Sequence, residues 1–452
     1  MVVQKFGGTS VADPAAIKRL IEIVRAARTR DGRGPAVVVS AMSGVTDGLL
    51  GLAAAAGGSQ LGEALSRMPQ IRDRHTSAAR ALVTGAALDG LLGQIEAQID
   101  ELTDVIKALA VLREVSPRTL DVVAAAGELL SSRIVAAALA CADVPAEWVD
   151  ARQVIVTNTE HTRATPLGKE TSARLRASVW PILERGHVPV LGGFIGATAA
   201  GHTSTLGRGG SDYSGALVGA GVDASEIQIW TDVDGMLSAD PRVIKEARLV
   251  DRLSFAEAAE LAYFGAKVLH PSTILPAVER NIPVRILNSW KPEAPGTLIT
   301  GAGLPGRKGL TGLASKRDVT VIDITSTRML MAYGFLRRVF EVFERFTTAV
   351  DMVTTSEVSV SVTVDDVRHL DEIEEGLSEF AAVSVERHMS LLCAVGDVLQ
   401  HEPEMAARVV GVLEEVPLRM ISQAASRRNI TVVLRQHDLP HAMERLHEEF
   451  FQ

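Results

Sequence analysis

The chain has 452 residues, of which 47% are hydrophobic and 22% are charged, and its formal net charge is −9. The length allows roughly two to four domains, and an acidic chain without a block of Lys or Arg argues against nucleic acid as a partner. Its two cysteines, Cys141 and Cys393, are too few for a disulfide framework or a Cys-based zinc site. The apolar stretch 122–144 contains Glu128 and Arg133. We interpret it as too polar to span a bilayer and expect a soluble, cytoplasmic protein.

The first 290 residues alternate short apolar runs with amphipathic segments. MVVQKF at 1–6 and PAVVVS at 35–40 predict strands, and Asp13-Pro14 predicts the start of a helix. The region 71–140 has a helical pattern throughout. Three further runs predict strands: VPVLGGFIG at 188–196, IQIWTDVDG at 227–235 and IPVRILN at 282–288. Strands that are apolar on both faces and alternate with helices predict an α/β fold, with a mostly parallel sheet between helix layers.

The last third of the chain has a different pattern. Residues 291–308 are rich in Pro and Gly and predict a linker after a domain of residues 1–290. Residues 317–390 follow the order β-α-β-β-α-β, and a similar order returns in 391–452 with one strand missing. The segment 309–316 could supply that strand. Two small α+β units of this kind are typical of a sensing or dimerising module.

The first glycine-rich loop, KFGGTS at 5–10, follows a predicted strand. Gly7 and Gly8 would let backbone amides approach phosphate oxygens without a clashing Cβ. Because Lys5 precedes the glycines and no G-x-G-x-x-G follows, the loop is neither a Walker A motif nor a dinucleotide fingerprint. A purely structural turn remains an alternative for this motif by itself.

Two further loops carry polar groups after predicted strands. SAMSGVTD at 40–47 could contact a ligand, or Ser43 or Thr46 could simply cap the helix that follows. In TLGRGGSD at 205–212, Arg208 stands among three glycines, and its planar fork suits a carboxylate or phosphate. This context favours ligand contact for Arg208.

The remaining loops lie at 231–242 and 264–271. TDVDG at 231–235 resembles the start of a calcium loop, but the later ligands and the bidentate Glu are missing. Lys267 stands in the otherwise apolar FGAKVLHP, where a near-buried lysine needs an anionic partner such as phosphate. We interpret His270 as a hydrogen-bonded core histidine.

Five motifs in this order resemble aspartate kinase: KFGGTSV, GELLSS, TLGRGGSDYSGAL, WTDVDGMLSADPR and FGAKVLHP. The resemblance covers nearly the whole chain and is greatest to the monofunctional, lysine-inhibited type, since there is no room for a homoserine dehydrogenase half. It implies an amino-acid-kinase fold followed by two α+β ACT regulatory domains, the first inserted in the second. It also implies ATP-dependent phosphorylation of the L-aspartate side-chain carboxylate to 4-phospho-L-aspartate, with Mg²⁺. The resemblance makes this reaction the first step of lysine, threonine and methionine biosynthesis.

The resemblance assigns site residues by group. The catalytic residues would be Lys5, Asp212 and Lys267. L-aspartate would be bound by Ser40, Thr46, Glu128, Arg208, Gly209, Gly210 and Ser211, with Arg208 on the α-carboxylate and Glu128 either on the ammonium or holding Arg208. The nucleotide would be bound by Lys5, Gly7, Gly8, Thr231, Asp232, Leu237, Arg242, Lys267 and Val268. It assigns no protein ligand to Mg²⁺.

The effector positions of the lysine-inhibited type match Met329, Gly334, Phe335, Leu336, Val350, Asp351, Ser356 and Glu357. The acidic Asp351 and Glu357 suit a cationic amino acid, so we expect inhibition by lysine, with threonine or no effector as alternatives. Two positions depart from the family pattern: Ala332-Tyr333 replaces Ser-Arg, and Leu237 replaces a tyrosine near the nucleotide.

We expect a homodimer through the ACT domains and no nucleic acid or membrane partner. Two alternative functions stay open: another kinase of the same fold, acting on glutamate or acetylglutamate, and a catalytically dead amino-acid sensor.

Overall fold

The computed structural model describes residues 1–265, 269, 271–304, 306–307, 309–326, 333–400, 402–423 and 426–451. The chain divides into two compact units. The first comprises Met1–Met236 and Val268–Ala302, and the second comprises Leu237–Lys267 and Gly303–Gln452. The second unit therefore includes a segment from the middle of the chain as well as the whole C-terminal region.

The strands of the described residues are β1 (Val2–Phe6), β2 (Ala36–Val39), β3 (Ala146–Val149), β4 (Val156–Thr157), β5 (Val188–Gly192), β6 (Ile195–Thr198), β7 (Thr203–Thr205), β8 (Glu226–Thr231), β9 (Arg252–Ser254), β10 (Val284–Asn288), β11 (Thr297–Thr300), β12 (Gly312–Thr325), β13 (Met352–Thr355), β14 (Ser359–Val364), β15 (Ala382–Val395), β16 (Leu418–Gln423) and β17 (Asn429–Arg435). The α-helices are α1 (Pro14–Asp31), α2 (Val45–Gly57), α3 (Leu61–Leu82), α4 (Gly85–Leu112), α5 (Pro117–Cys141), α6 (Ala151–Val154), α7 (Gly168–Ser178), α8 (Trp180–Glu184), α9 (Gly210–Gly221), α10 (Phe255–Tyr263), α11 (Leu275–Glu279), α12 (Phe335–Arg345), α13 (Leu370–Ser378), α14 (Pro403–Val412) and α15 (Leu439–Phe451).

The first unit is built on a sheet with the strand order β3-β5-β2-β1-β8-β10-β11. Its strands run parallel except for β11, which pairs antiparallel to β10. Every residue of β1, β2 and β5 is buried, as the apolar runs predict. The carboxyl ends of β1, β2 and β8 therefore meet at one edge, where ligands bind in open α/β sheets.

The helices beside this sheet agree with the helices predicted from the sequence. Asp13 caps α1 by accepting a hydrogen bond from the Ala16 amide at 2.8 Å, and Pro14 is the first helical residue. The region predicted as helical from 71 to 140 belongs to three helices, α3, α4 and α5. The predicted linker, however, contains β11, because residues Thr297–Thr300 pair with β10.

Helix α5 corrects one sequence argument. Its best 18-residue window has a mean hydropathy of 1.6, so by length and composition it could cross a membrane in spite of Glu128 and Arg133. In the folded chain, 83% of that window is buried. Burial, rather than polarity, therefore shows that α5 is a core helix of the first unit.

The second unit contains a six-stranded antiparallel sheet with the order β13-β14-β12-β15-β17-β16. Its central strands β12 and β15 are 14 residues long each and run through both halves of the sheet. Residues 312–316 pair with 391–395, so the upstream segment does supply a strand to the C-terminal half. Helices α12 and α13 pack on one half, and α14 and α15 pack on the other together with Ala239 and Ile244.

Candidate active site

An open cleft of about 520 Å³ lies at the carboxyl ends of β1, β2 and β8 in the first unit. It is lined by the loops after those strands and by the first turns of α2 and α9. Twelve of the predicted site residues line it: Lys5, Gly7, Gly8, Ser40, Thr46, Glu128, Gly209, Gly210, Ser211, Asp212, Thr231 and Asp232. The structure thus brings together residues that are more than 200 positions apart in the sequence.

The loop after β1 is held by backbone hydrogen bonds and close packing. The Gly7 amide donates to Trp230 O at 2.9 Å, and the Ser43 amide donates to Gly8 O at 3.2 Å. A Cβ at Gly8 would lie 3.1 Å from Ala41 O, which is tighter than most real contacts. The loop after β1 can therefore lie directly against the loop after β2 because residue 8 has no side chain.

Lys5 points from the end of β1 toward the start of α9. Its Nζ lies 2.7 Å from Asp212 Oδ1, and both side chains are mostly buried. Gly215 makes this approach possible, since a Cβ there would lie 3.1 Å from Lys5 Cβ. Helix α9 begins after Gly209, whose φ of 70° is left-handed, so its first amides and Asp212 all lie at the cleft.

Glu128 reaches the cleft from the middle of α5. Its Oε1 accepts a hydrogen bond from the Ala41 amide at 3.3 Å, whereas its Oε2 is buried without a hydrogen-bond partner among the described residues. Burial raises the pKa of Glu128 to about 8, although the Ala41 amide opposes the shift. The neighbouring Gly127 and Gly192 allow this dense packing, because a Cβ on either would lie within 3.1 Å of Ala41 or Glu128.

Arg208 occupies a different environment from the other predicted substrate residues. It lies between β7 and α9, is exposed to solvent and is not among the residues that line the cleft. Both Arg208 and Glu128 are described, and no ion pair joins them. The structure consequently favours an independent role for Glu128 over that of a partner for Arg208.

Two alternatives for the loops can now be compared with the structure. Helix α2 begins after Gly44 with a φ of 77° and has no side-chain cap, so neither Ser43 nor Thr46 caps it. In the loop after β8, Asp234 pairs with Lys291 at 2.9 Å. Within the described residues no group of three or more His, Cys, Asp or Glu could hold a metal ion.

None of the other residues predicted to bind the nucleotide is among the described residues that line this cleft. Leu237 and Arg242 are part of the second unit, where Leu237 bridges to Leu249 and Arg242 Nη2 lies 2.7 Å from Asp240 Oδ2. Lys267, Val268 and His270 lie outside the described residues. Sequence reasoning missed Thr9, Asp47 and Phe194, which also line the cleft; the first two could have been found from their place in the same loops.

The predicted effector residues lie in the β13–α12 half of the second unit, apart from Met329, which is outside the described residues. Asp351 is the central acidic group, and its side chain is almost fully buried. Its Oδ1 accepts hydrogen bonds from Lys316 Nζ at 2.8 Å and from the Tyr263 hydroxyl at 3.0 Å. Its Oδ2 is buried without a hydrogen-bond partner among the described residues.

The other predicted effector residues differ in their exposure. Gly334 precedes α12 with a φ of 81°, Phe335 is buried in the core, and Val350 is half-buried. Leu336, Ser356 and Glu357 are exposed. The Ser356 hydroxyl accepts from the Ser359 amide at 3.1 Å and shapes the turn between β13 and β14.

Comparison with known proteins decides the family. The amino acid kinase family matches residues 1–288, and the ACT domain family matches residues 392–450. The chain is 37% identical to the chloroplastic aspartokinase 3 of Arabidopsis thaliana over 465 residues, covering 100% of this chain and 81% of the relative. The chain belongs to the aspartokinase family. The resemblance and the fold class predicted from the motifs are therefore confirmed.

Two further similarities fit the lysine-inhibited type within the family. The chain is 36% identical to the lysine-sensitive aspartokinase 3 of Escherichia coli over 460 residues, covering 100% of this chain and 99% of the relative. The crystal structure of E. coli aspartokinase III in complex with aspartate and ADP superposes with a TM-score of 0.85 at 36% identity, with 100% of both chains covered.

Proposed function

We propose that the cleft transfers the γ-phosphoryl group of ATP to the side-chain carboxylate of L-aspartate, giving 4-phospho-L-aspartate. The observation that carries this proposal is the buried Lys5–Asp212 pair beside two glycine-rich loops, with Glu128 lining the same cleft. The E. coli structure that binds aspartate and ADP covers the same full-length fold. The nucleophile is a carboxylate with a pKa near ~4, so it is ionised at neutral pH and needs no general base.

The main barrier is electrostatic, since an anion must approach a polyanion. Cations and amide donors aimed at the transferring group lower such a barrier. Lys5 would contact the transferring phosphate together with the amides of Gly7 and Gly8, and Asp212 would hold the Lys5 ammonium in place. Lys267 is proposed for the nucleotide phosphates from the sequence motif.

L-aspartate binding would use Arg208, beside the cleft, together with further groups that line it. Arg208 would bind the α-carboxylate, and its exposure leaves the guanidinium accessible to substrate. Glu128 Oε2, which has no hydrogen-bond partner among the described residues, would bind the substrate ammonium. Ser40, Thr46 and the α9 amides would lie near the reacting carboxylate.

Mg²⁺ is proposed as the companion of ATP. It characteristically takes one or two carboxylates plus phosphate oxygens and waters rather than a protein cage. Asp212 and Asp232 both line the cleft and supply oxygen donors of this kind. When bound, Mg²⁺ would neutralise charge on the β- and γ-phosphates.

We propose lysine as the inhibitor, because the lysine-sensitive E. coli relative aligns over the full chain and Asp351 has an uncompensated buried oxygen. We also propose a homodimer through the second unit. Strand β13 is an edge strand that exposes Val353, and α12 exposes Leu336 and Phe340. The domain boundaries 1–290, 317–390 and 309–316 with 391–452, and the cytoplasmic location, stay predictions.

A hydroxamate assay with ATP and Mg²⁺ tests the reaction. We expect trapping of aspartyl phosphate with L-aspartate and none with glutamate or acetylglutamate; turnover with another acid alone would overturn the proposal. Lys5→Ala should lower kcat by about 10²–10³-fold, since it removes one charged donor from the transition state.

The matched control is Lys18→Ala, because Lys18 is an exposed lysine on α1 outside the cleft. It should leave kcat unchanged. A Lys5→Ala protein that melts like the parent and keeps most of its kcat would show that Lys5 has no part in the transfer.

A further inference from the structure

We propose that Asp121 is a positioning residue for L-aspartate: it holds the segment that leads into the Arg208 loop on the same helix that carries Glu128. This inference rests on the proposed function. No motif draws attention to Asp121, which lies in the apolar stretch TLDVVAAAG before GELLSS.

Asp121 is a fully buried carboxylate that binds two separate segments of the chain. Its Oδ1 accepts a hydrogen bond from the Thr205 hydroxyl at 2.6 Å and from the Thr162 amide at 3.0 Å. Its Oδ2 contacts His161 Nδ1 at 2.6 Å. A buried carboxylate is stable only with such partners, so the three donors are fixed relative to α5.

One of these segments leads into the substrate loop, and the other packs against it. Thr205 ends β7, and Gly207, Arg208 and Gly209 follow it. The turn that contains His161 and Thr162 touches the same loop, because a Cβ at Gly207 would lie 3.3 Å from Thr162 O. The Ala164 amide also donates to Thr205 O at 2.8 Å.

The turn is strained, which argues for more than packing. Thr162 is β-branched and has a left-handed φ of 69°, a conformation that costs about 1–3 kcal/mol and persists only where the surroundings enforce it. The hydrogen bond from its amide to Asp121 is one such restraint. Strain of this kind clusters at ligand-binding sites.

Asp121 and Glu128 also share a helix face. Residues seven apart lie two turns along the helix on the same side, about 10 Å from each other. Glu128 lines the cleft. Helix α5 can therefore set the spacing between the group proposed for the substrate ammonium and the loop proposed for its α-carboxylate.

The test is Asp121→Asn in the full-length enzyme. The amide keeps the shape, but its Nδ2 can no longer accept a hydrogen bond from His161, so the turn at 161–162 loses a restraint while Thr205 can still donate to Oδ1. We expect the KM for L-aspartate to rise about tenfold, with the KM for ATP and kcat changed less than threefold. A merely structural role would lower the melting temperature without this split.

Thr205→Val and Thr205→Ser provide a second pair of variants. Thr205→Val removes the hydroxyl that donates to Asp121, and Thr205→Ser keeps a hydroxyl there. Thr205→Val should raise the KM for L-aspartate about threefold, and Thr205→Ser should restore it. The control on the same helix is Ser132→Ala, which breaks a buried hydrogen bond of 2.9 Å from Trp148 Nε1 and does not touch the loop. It should lower stability and leave both KM values unchanged.

The outcomes separate the inference from the function on which it rests. Loss of stability with an unchanged KM for L-aspartate in both Asp121→Asn and Thr205→Val would overturn the inference alone. Absence of aspartyl phosphate with the unmodified enzyme would overturn the proposed function instead. If Asp121→Asn fails to fold, the Thr205 pair decides the question.

Discussion

At the scale of single residues, Glu128 makes the site dependent on pH. Its pKa of about 8 means that it holds a proton at neutral pH before substrate binds. An ion pair with the L-aspartate ammonium requires the ionised form, whose fraction rises tenfold per pH unit below the pKa. We therefore expect the KM for L-aspartate to fall about tenfold between pH 6 and pH 7 and to level off above pH 8.

Glu128→Gln is the matched control for this prediction. The amide keeps the size of the side chain but cannot ionise, so the KM should be high and independent of pH across the same range. Steady-state kinetics at fixed saturating ATP measure both enzymes. A flat KM in the parent would mean that Glu128 stays protonated in the complex and does not pair with the ammonium.

The residue scale also shows what the sequence could and could not predict. Lys5, Gly8 and Asp212 were predictable because each belongs to a motif whose chemistry is local. Asp121 was not, because its three donors come from segments 40 and 84 positions away and a buried Asp leaves no periodic signal. The exposure of Arg208 was not predictable either, since solvent access depends on how β7 and α9 pack.

At the scale of elements, the end of α10 contacts the proposed effector site. Tyr263 ends this helix, and its hydroxyl binds Asp351. Two residues later, Gly265 lies so close to β12 that a Cβ there would be 2.2 Å from Ser315 O. The next residue of β12, Lys316, lies 2.8 Å from both Asp351 Oδ1 and Asp365 Oδ2.

Lys316 already binds one oxygen of the Asp351 carboxylate, which we propose as the ligand of the effector ammonium. Burial lowers its pKa, but the hydrogen bonds to Asp351 and Asp365 outweigh burial and raise that pKa above its ordinary value, so Lys316 stays charged. Lys316→Met would leave a buried carboxylate without its cation, which costs about 3–5 kcal/mol. A bound ammonium would recover part of that cost.

We therefore expect Lys316→Met to bind lysine about tenfold more tightly and to show a larger increase in melting temperature with lysine than the parent. Lys316→Arg keeps the charge and should behave like the parent. Isothermal titration with lysine and thermal melts measure both effects. Equal or weaker lysine binding by Lys316→Met would place the effector ammonium away from Asp351.

At the scale of the whole molecule, the alternation of strands and helices predicts the first unit well, but it does not predict the shared sheet of the second. The charged sequence Lys316-Arg317-Asp318 looks like a loop between two strands. In the structure β12 continues through it by shifts of register between Lys316, Val319 and Val321. Periodicity identifies a strand but not its partner, and pairing over long sequence separations leaves no local signal.

Because β12 and β15 serve both halves, the second unit should lose its structure as one body. Ile322 is fully buried in β12, within the half covered by α12 and α13. Ile322→Ala should lower the free energy of unfolding by about 3 kcal/mol. It should also speed amide exchange in β17 of the other half as well as in β14.

Ile421→Ala is the matched control, because Ile421 lies in the same sheet but is 44% exposed, and it should change exchange little. Hydrogen exchange followed by mass spectrometry gives the answer. Faster exchange confined to β13, β14 and α12 would show instead that each half unfolds independently, and that the shared strands connect the halves without making them cooperative.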